Sequence, residues 1–179
     1  MEPNARTVLN ARLFDAVGNN DAMGVTAALD AGADPNARDE DEGYTPLHLA
    51  TDLAGPNVFR ALIKAGADPN ARDSFESTPL HRVINSGPEH TMVLLCADAD
   101  PLAKDAIGLT PIDLARDNPQ SLALLDQALA AGVIPAATRD KVLKDYPDQF
   151  PHARVAAAAP TVTLKWARPA PSTDRGMDI

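Results

Sequence analysis

The sequence contains a single cysteine and few aromatic residues. With Cys96 alone, no disulfide can form within the chain, which favours a reducing compartment. Aromatic residues make up 4% of the 179 residues and apolar residues 45%, so a buried core has to be built from aliphatic side chains. No segment approaches the roughly 18 apolar residues that a membrane-spanning helix needs, and no apolar run follows the first charged residues as in a secretory signal. We therefore expect a cytoplasmic protein.

Basic residues are scarce in most of the chain. Residues 1–150 hold 23 acidic and 12 basic residues, whereas residues 151–179 hold 2 acidic and 4 basic ones, for a formal net charge of −9. An acidic body repels phosphate groups, which disfavours nucleic acid and anionic membranes as partners. A protein with a basic or apolar docking surface is the better expectation. The excess of 11 arginines over 5 lysines, with many alanines, suggests a bacterial source.

A phrase of nine residues occurs three times. Residues 31–39 read AGADPNARD, residues 65–73 repeat them without change, and residues 97–105 read ADADPLAKD. A second phrase keeps step with the first, as TPLHLA at 45–50, TPLHRV at 78–83 and TPIDLA at 110–115. Recurrence every 32 to 34 residues indicates stacked copies of one supersecondary unit.

Each phrase has a local physical meaning. A threonine before a helix can accept a free backbone N–H, and a proline fits the first helical position, where its missing N–H costs nothing. Thr45-Pro46 and its copies therefore predict helix starts. A glycine just past a helix favours a left-handed stop, as at Gly66. Asp98 stands at the matching position of the next copy, so we expect a strained or reshaped helix end there.

Together the two phrases resemble the ankyrin repeat, a unit of about 33 residues with T-P-L-H-x-A before its first helix. The resemblance implies an all-α solenoid of helix–turn–helix units with short β-hairpin fingers. Its repeats would span 6–39, 40–73, 74–105 and 106–135, and a closing helix would follow at 137–146. Residues 1–150 would form this domain. Residues 151–179, rich in Ala and Pro and basic, would be a flexible tail, in which residues 161–166 alternate like a strand.

No group of residues predicts an active site. His48 and His81 belong to the Thr-Pro-Leu-His turn, where the imidazole can bond the threonine and neighbouring backbone and so link repeats. Cys96 lies in a leucine-rich helix and is expected to be a small buried hydrophobe. The acidic run that begins at Asp39 lacks the glycine and glutamate positions of a calcium loop. We therefore predict no enzyme, no cofactor and no metal.

The resemblance places partner binding on the concave side, at the fingertips and the nearby ends of the inner helices. Four of these positions are apolar with no core to fill, which favours a binding stripe, although some of them could instead pack against a neighbouring finger. The predicted protein-binding residues are Glu40, Asp41, Glu42, Tyr44, Asp52, Leu53, Ser74, Phe75, Ser77, Asn85, Ile107 and Leu109.

The resulting functional hypothesis is a non-catalytic, monomeric interaction module, which acts as an adaptor, an inhibitor or an immunity-type protein. The alternative is a secreted bacterial effector that binds a protein of the target cell. For the tail, Lys165, Trp166 and Arg168 could fold back onto the acidic fingers or add a strand to a partner, and an unstructured end is the competing interpretation.

Overall fold

The structure is a computed structural model that describes residues 5–85 and 87–156, and these residues form ten helices and no strand. The predicted tail residues 157–179, including 161–166, lie outside the described residues. The helices are α1 (Ala5–Gly18), α2 (Ala22–Asp30), α3 (Pro46–Leu53), α4 (Pro56–Lys64), α5 (Pro79–Val83), α6 (Pro88–Cys96), α7 (Pro111–Ala115), α8 (Pro119–Ala130), α9 (Ala136–Asp145) and α10 (Pro151–Ala156).

The helices stack in two rows. The inner row is α1, α3, α5 and α7, each in contact with the next, and the outer row is α2, α4, α6 and α8. Between the rows lies one continuous core of Leu, Val, Ile and Ala, in which Phe59 and Phe150 are the large aromatic members. The prediction of an all-α repeat fold is confirmed. The core is aliphatic, as the low aromatic content requires. Short helices that carry Ala and Leu can approach one another closely.

The repeated phrases start and stop the helices as the sequence indicates. α3, α5 and α7 begin at the proline of the Thr-Pro phrase, with the preceding threonine as the N-cap. α4, α6 and α8 begin at a proline as well, after Gly55, Gly87 and Asn118. Proline is tolerated at these first positions because the N–H it lacks would have no intrahelical partner. The starts of these six helices are therefore fixed by one or two residues of local sequence.

His48 links the second repeat to the third. Its Nδ1 accepts the backbone N–H of Thr45 at 3.2 Å, and its Nε2 lies 3.1 Å from the carbonyl oxygen of Ser77. A backbone N–H can only donate and a carbonyl can only accept, so the imidazole is neutral with its proton on Nε2. His81 repeats the arrangement one layer further on, with Thr78 at 3.1 Å and the Leu109 carbonyl at 3.2 Å.

Asparagines supply a second link between repeats. Asn36 accepts the backbone N–H of Asp68 at 2.7 Å and donates to the carbonyl of Gly66 at 3.0 Å. Asn70 makes the same pair of bonds to Asp100 and Asp98 at 2.7 and 3.0 Å. The side-chain amide satisfies one donor and one acceptor of a turn that has no regular secondary structure to pair them.

The loops between repeats project as three fingers, which we define as residues 39–44, 73–77 and 105–109. Each finger is closed by one backbone bond of 2.9 to 3.0 Å, from the N–H of its first aspartate to the carbonyl of its last residue. The same aspartate, Asp39, Asp73 or Asp105, also accepts two N–H groups within its finger. The described fingers are therefore tight turns and not the strand ladders of a full β-hairpin.

The last repeat replaces histidine with Asp113. This carboxylate accepts the N–H of Thr110 at 3.0 Å, as the histidines do, and it accepts the Tyr146 hydroxyl at 3.1 Å. No further repeat offers a carbonyl here. Tyr146, just after α9, offers an O–H donor, and a carboxylate is the acceptor it requires. Hydrogen bonds from Thr110 and Tyr146 outweigh the opposing effect of burial and lower the pKa of Asp113, which keeps it ionised.

A short helix follows residue 150, where we predicted the repeat domain to end. Residues 151–156 form α10, which packs on α8, and both Phe150 and Ala153 are fully buried. The buried Asp126 of α8 accepts the backbone N–H groups of His152 and Ala153 at 3.2 and 2.8 Å. A carboxylate at the start of a helix satisfies N–H groups that have no intrahelical partner. The segment carries no repeat phrase, so its composition alone suggested a tail.

Asp98 adopts the left-handed conformation that Gly66 adopts in the preceding copy, with φ of +66° against +90°. The helix end therefore keeps its shape, and the substitution is accommodated as backbone strain. We expect Asp98→Gly to raise the free energy of unfolding by about 0.5–1 kcal/mol in urea denaturation, because glycine reaches positive φ without a steric penalty. Gly66→Ala should lower it by a similar amount. If Asp98→Gly does not stabilise the protein, the strain is smaller than the change in chain entropy.

Burial of the two linking histidines predicts a loss of stability in mild acid. Burial lowers the pKa of His48 and of His81, and the hydrogen bond of each Nε2–H with the next carbonyl opposes this only in part. A group whose pKa is lower when folded binds its proton more readily when unfolded, so its stabilising contribution is lost as pH falls below about 6.5.

Between about pH 7.5 and about pH 5.5 we expect the free energy of unfolding to fall, by at most about 1.4 kcal/mol per histidine and pH unit. Urea denaturation at several pH values measures this slope. The double variant His48→Gln, His81→Gln retains His90 and His152 and serves as the control. It should be less stable at neutral pH and have a much flatter slope, and an unchanged slope would contradict the assignment.

Candidate protein-binding surface

The three fingers and the C-terminal ends of α3 and α5 together form the surface that we call the finger face. Neighbouring fingers are joined, because the N–H of Ser74 donates to the Glu42 carbonyl and that of Ala106 to the Phe75 carbonyl, each at 2.9 Å. Arg38 adds a bond of 2.6 Å to the Arg72 carbonyl, and Arg72 one of 2.7 Å to the Lys104 carbonyl. The fingers therefore form one hydrogen-bonded row.

The structure exposes most of the predicted binding residues. Exposed residues on the fingers and α3 are Glu40, Asp41, Glu42, Asp52, Leu53, Ser74, Phe75, Ile107 and Leu109, and Asn85 is exposed after α5. Tyr44 and Ser77 are half-buried. Ser77 is used within the stack, because its carbonyl faces His48. The Asn85 amide donates to the Leu114 carbonyl at 2.7 Å, so it also links repeats.

Tyr44, one of the predicted binding residues, makes several contacts within the stack. The Arg82 guanidinium lies 4.6 Å from the centre of its ring and donates to its hydroxyl at 2.8 Å, and the ring stacks on His48. The neighbouring Glu42 carboxylate, and then burial, raise the pKa of Tyr44, so the phenol stays neutral. For this residue the competing interpretation, packing against the neighbouring repeat, describes the geometry.

Arg82 is a concave-side residue that the sequence analysis missed. Besides Tyr44, its guanidinium forms a close ion pair with Asp52 and donates to Thr51 at 3.2 Å. It thereby connects the first finger, α3 and α5. The sequence held one signal for it, its position in the repeated phrase. The fifth residue of the Thr-Pro phrase is Leu49 in one copy and Leu114 in another, and Arg82 is the charged exception. Arginine suits this position, because its guanidinium can stack on an aromatic ring and pair with a carboxylate at the same time.

The finger face changes in character along the stack. The first finger carries the acidic cluster, and Asp52 lies next to it. The second and third fingers expose apolar side chains, with Phe75 57% and Ile107 80% accessible and Leu109 at 38%. Leu53, at 53%, adds an apolar group on α3. Large apolar side chains with this accessibility have no core contact to explain them.

The outer row carries a separate shallow groove between α4 and α6. Ile63, Met92, Val93 and Cys96 form its apolar floor, and the charged side chains of Arg60, Lys64 and Glu89 lie around it. Cys96 is exposed, so the expectation of a buried cysteine is wrong: it lies on the solvent side of α6 while Leu94 and Leu95 enter the core. Partial desolvation raises the pKa of the Cys96 thiol, which keeps it protonated and a weak nucleophile.

Metal ligands and membrane spans are not found in the described part of the chain. Among residues 5–85 and 87–156, no three His, Cys, Asp or Glu side chains are grouped closely enough to hold a metal ion. Within the same ranges, no helix has the length and apolar character to cross a membrane. His48 and His81, which the sequence offers as catalytic or metal-binding candidates, are both buried and bonded between layers.

Comparison with known proteins identifies the repeat unit. A family model described as ankyrin repeats, in three copies, matches residues 13–105, slightly more than half of the 179 residues. No curated protein matches the chain. Ankyrin repeats generally mediate protein–protein interaction and are typically non-catalytic. The matched span contains two full Thr-Pro-Leu-His turns, the asparagine links and the His48 link between layers, and the chain therefore belongs to the ankyrin repeat family.

Proposed function

We propose that the finger face binds one protein partner and that this binding, without catalysis, is the function of the chain. The observation that supports this best is the apolar stripe of Phe75, Ile107 and Leu109, exposed on a row of hydrogen-bonded fingers. Binding of this kind suits an adaptor or an inhibitor, including an immunity-type protein that blocks an enzyme. We propose further that the protein acts as a monomer in the cytoplasm.

The charges of the finger face describe the complementary surface. Glu40, Asp41 and Glu42 are exposed on the first finger, and the Asp52 side chain is 54% exposed although it pairs with Arg82. A partner that presents lysine or arginine beside an apolar patch would match both the acidic first finger and the apolar second and third fingers. Charges at the rim of an interface mainly raise the association rate and orient the partner, while apolar anchors supply affinity.

The row of hydrogen-bonded fingers forms a frame that supports tight binding, because it is ordered before the partner binds. Each finger is held internally by its aspartate and externally by its neighbour, so little backbone freedom is lost on association. Tyr44 contributes to this frame in an indirect way. Its ring fixes Arg82, and Arg82 fixes the Asp52 carboxylate at the edge of the binding surface.

Differential capture tests the proposal. The full chain is immobilised as wild type, as Phe75→Ser with Ile107→Ser, and as the control Val8→Ser with Met23→Ser, whose residues are exposed apolar groups of the first two helices. We expect a protein from the native cells to be retained by the wild type and the control and lost from the finger variant. A partner retained equally by all three would place binding elsewhere.

Calorimetry with the captured protein then gives the magnitude. Loss of two central apolar anchors should raise the dissociation constant by about 10- to 100-fold, which corresponds to about 1.4–2.8 kcal/mol in all. Raising the salt concentration should slow association with little effect on dissociation, because the acidic first finger acts by steering. Circular dichroism and urea denaturation of each variant establish that the stack itself is unchanged.

A further inference from the structure

The third finger ends the row and leaves a hydrogen-bonding edge open. Glu42 in the first finger and Phe75 in the second each accept a backbone N–H from the next finger. The corresponding position in the third finger is Ile107, two residues after Asp105. No backbone N–H of the described residues donates to the Ile107 carbonyl. Within the described part of the chain, the row therefore stops at a carbonyl that has no backbone donor.

The side chains at this edge are apolar and the surrounding charges are acidic. Ile107 is 80% accessible and Leu109 is 38% accessible, and Gly108 between them has a left-handed φ of +86° in the turn. The three fingers together contain seven acidic residues and no basic one. A segment that covers this edge should be extended, should place apolar side chains on one face, and should carry positive charge.

Residues 161–168 of the same chain have these properties. They read TVTLKWAR, so Val162, Leu164 and Trp166 fall on one side of an extended segment. Lys165 and Arg168 are the charged residues among the eight, and there is no acid. No other stretch of the chain outside the described residues combines alternation, an indole and basic charge.

The connecting chain is long enough. Tyr146 fixes the chain beside the third finger, with its hydroxyl 3.0 Å from Oγ1 of Thr110, the residue after Leu109. From Tyr146 the chain can move away by at most about 22 Å, through four extended residues and the six-residue α10. The ten residues from Ala156 to Trp166 span about 33 Å when extended, so the indole can return to the third finger.

We propose that residues 161–166 add to the third finger as an extended segment, with Trp166 covering Ile107 and Leu109 and with Lys165 and Arg168 facing the acidic fingers. This deepens the proposed function and rests on it for its meaning, since the segment occupies part of the surface offered to the partner. The tail then acts as an intramolecular competitor for the finger face.

A weak site is sufficient for such docking. A connection of about ten residues gives an effective concentration of about 1 mM, so a segment with an intrinsic dissociation constant of about 0.1 mM is bound about 90% of the time. Two apolar side chains and two long-range charge interactions are enough for an affinity of this order. The segment does not need a deep pocket.

Tryptophan fluorescence tests the proposal in the full chain, because Trp166 is the only tryptophan. We expect wild-type emission to be blue-shifted relative to N-acetyltryptophanamide and several-fold less quenched by acrylamide. Ile107→Lys should move the emission to the free-indole position, and so should the tail variant Lys165→Glu with Arg168→Glu. Met23→Lys, at an exposed residue of α2, and Met92→Lys, at a half-buried residue of the outer groove, should change nothing.

Each other result overturns the proposal. Wild-type emission equal to that of free indole means that the segment does not dock. A red shift in Met92→Lys with none in Ile107→Lys means that it docks in the outer groove. Emission that changes with protein concentration means that a second copy supplies the segment. All of these measurements are made without a partner, so they can fail while differential capture by the finger face succeeds, and the reverse also holds.

Discussion

Every turn between repeats has backbone N–H and C=O groups that are not hydrogen-bonded within a helix or strand. Side chains from the adjacent repeat form the hydrogen bonds that these groups need. Asn36 and Asn70 bond the turn that follows, His48 and His81 bond the carbonyl before the next threonine, and arginines bond the finger row. An unpaired polar group in these half-buried turns would cost about 1–3 kcal/mol. The near-identity of the nine-residue phrases follows from this, because each copy has to satisfy the same groups.

The ends of the stack obey the same requirement with different residues. At the first turn, Asn10 on α1 accepts the N–H of Asp34 at 2.8 Å, which is the bond that Asn36 and Asn70 make from a turn. At the last layer, Asp113 takes the place of histidine and accepts the Tyr146 hydroxyl. The exchange of histidine for aspartate reverses the direction of the bond, because the neighbour changes from a carbonyl acceptor to a hydroxyl donor. The closing residues are therefore chosen by hydrogen-bond polarity.

The sequence predicts what is local and repeated. Thr-Pro starts, glycine stops and the histidine links each occur within a few residues and recur in phase, so the all-α repeat fold could be derived from them. Arg82, Tyr146 and the contact of α10 with Asp126 could not, since each occurs once and joins segments 26 to 38 residues apart. The prediction for Cys96 was wrong because a leucine-rich helix at the surface still has one face toward solvent, and the phase of a nine-residue helix is hard to fix from composition.

The division between linking and variable positions explains how such a chain can acquire specificity without changing its fold. The histidines and threonines of the phrases are buried, and the asparagines, though partly exposed, are bonded to the next turn. The fingertips differ from copy to copy: acidic in the first, Phe75 in the second, Ile107 and Leu109 in the third. Because these side chains make few contacts within the stack, substitutions there cost little stability and change only which partner the surface binds. The proposed competition of the tail for the third finger would regulate binding, likewise without a change in the fold. If it occupies the site about 90% of the time, the partner's apparent affinity falls about tenfold. Its release would restore that affinity without any rearrangement of the repeats.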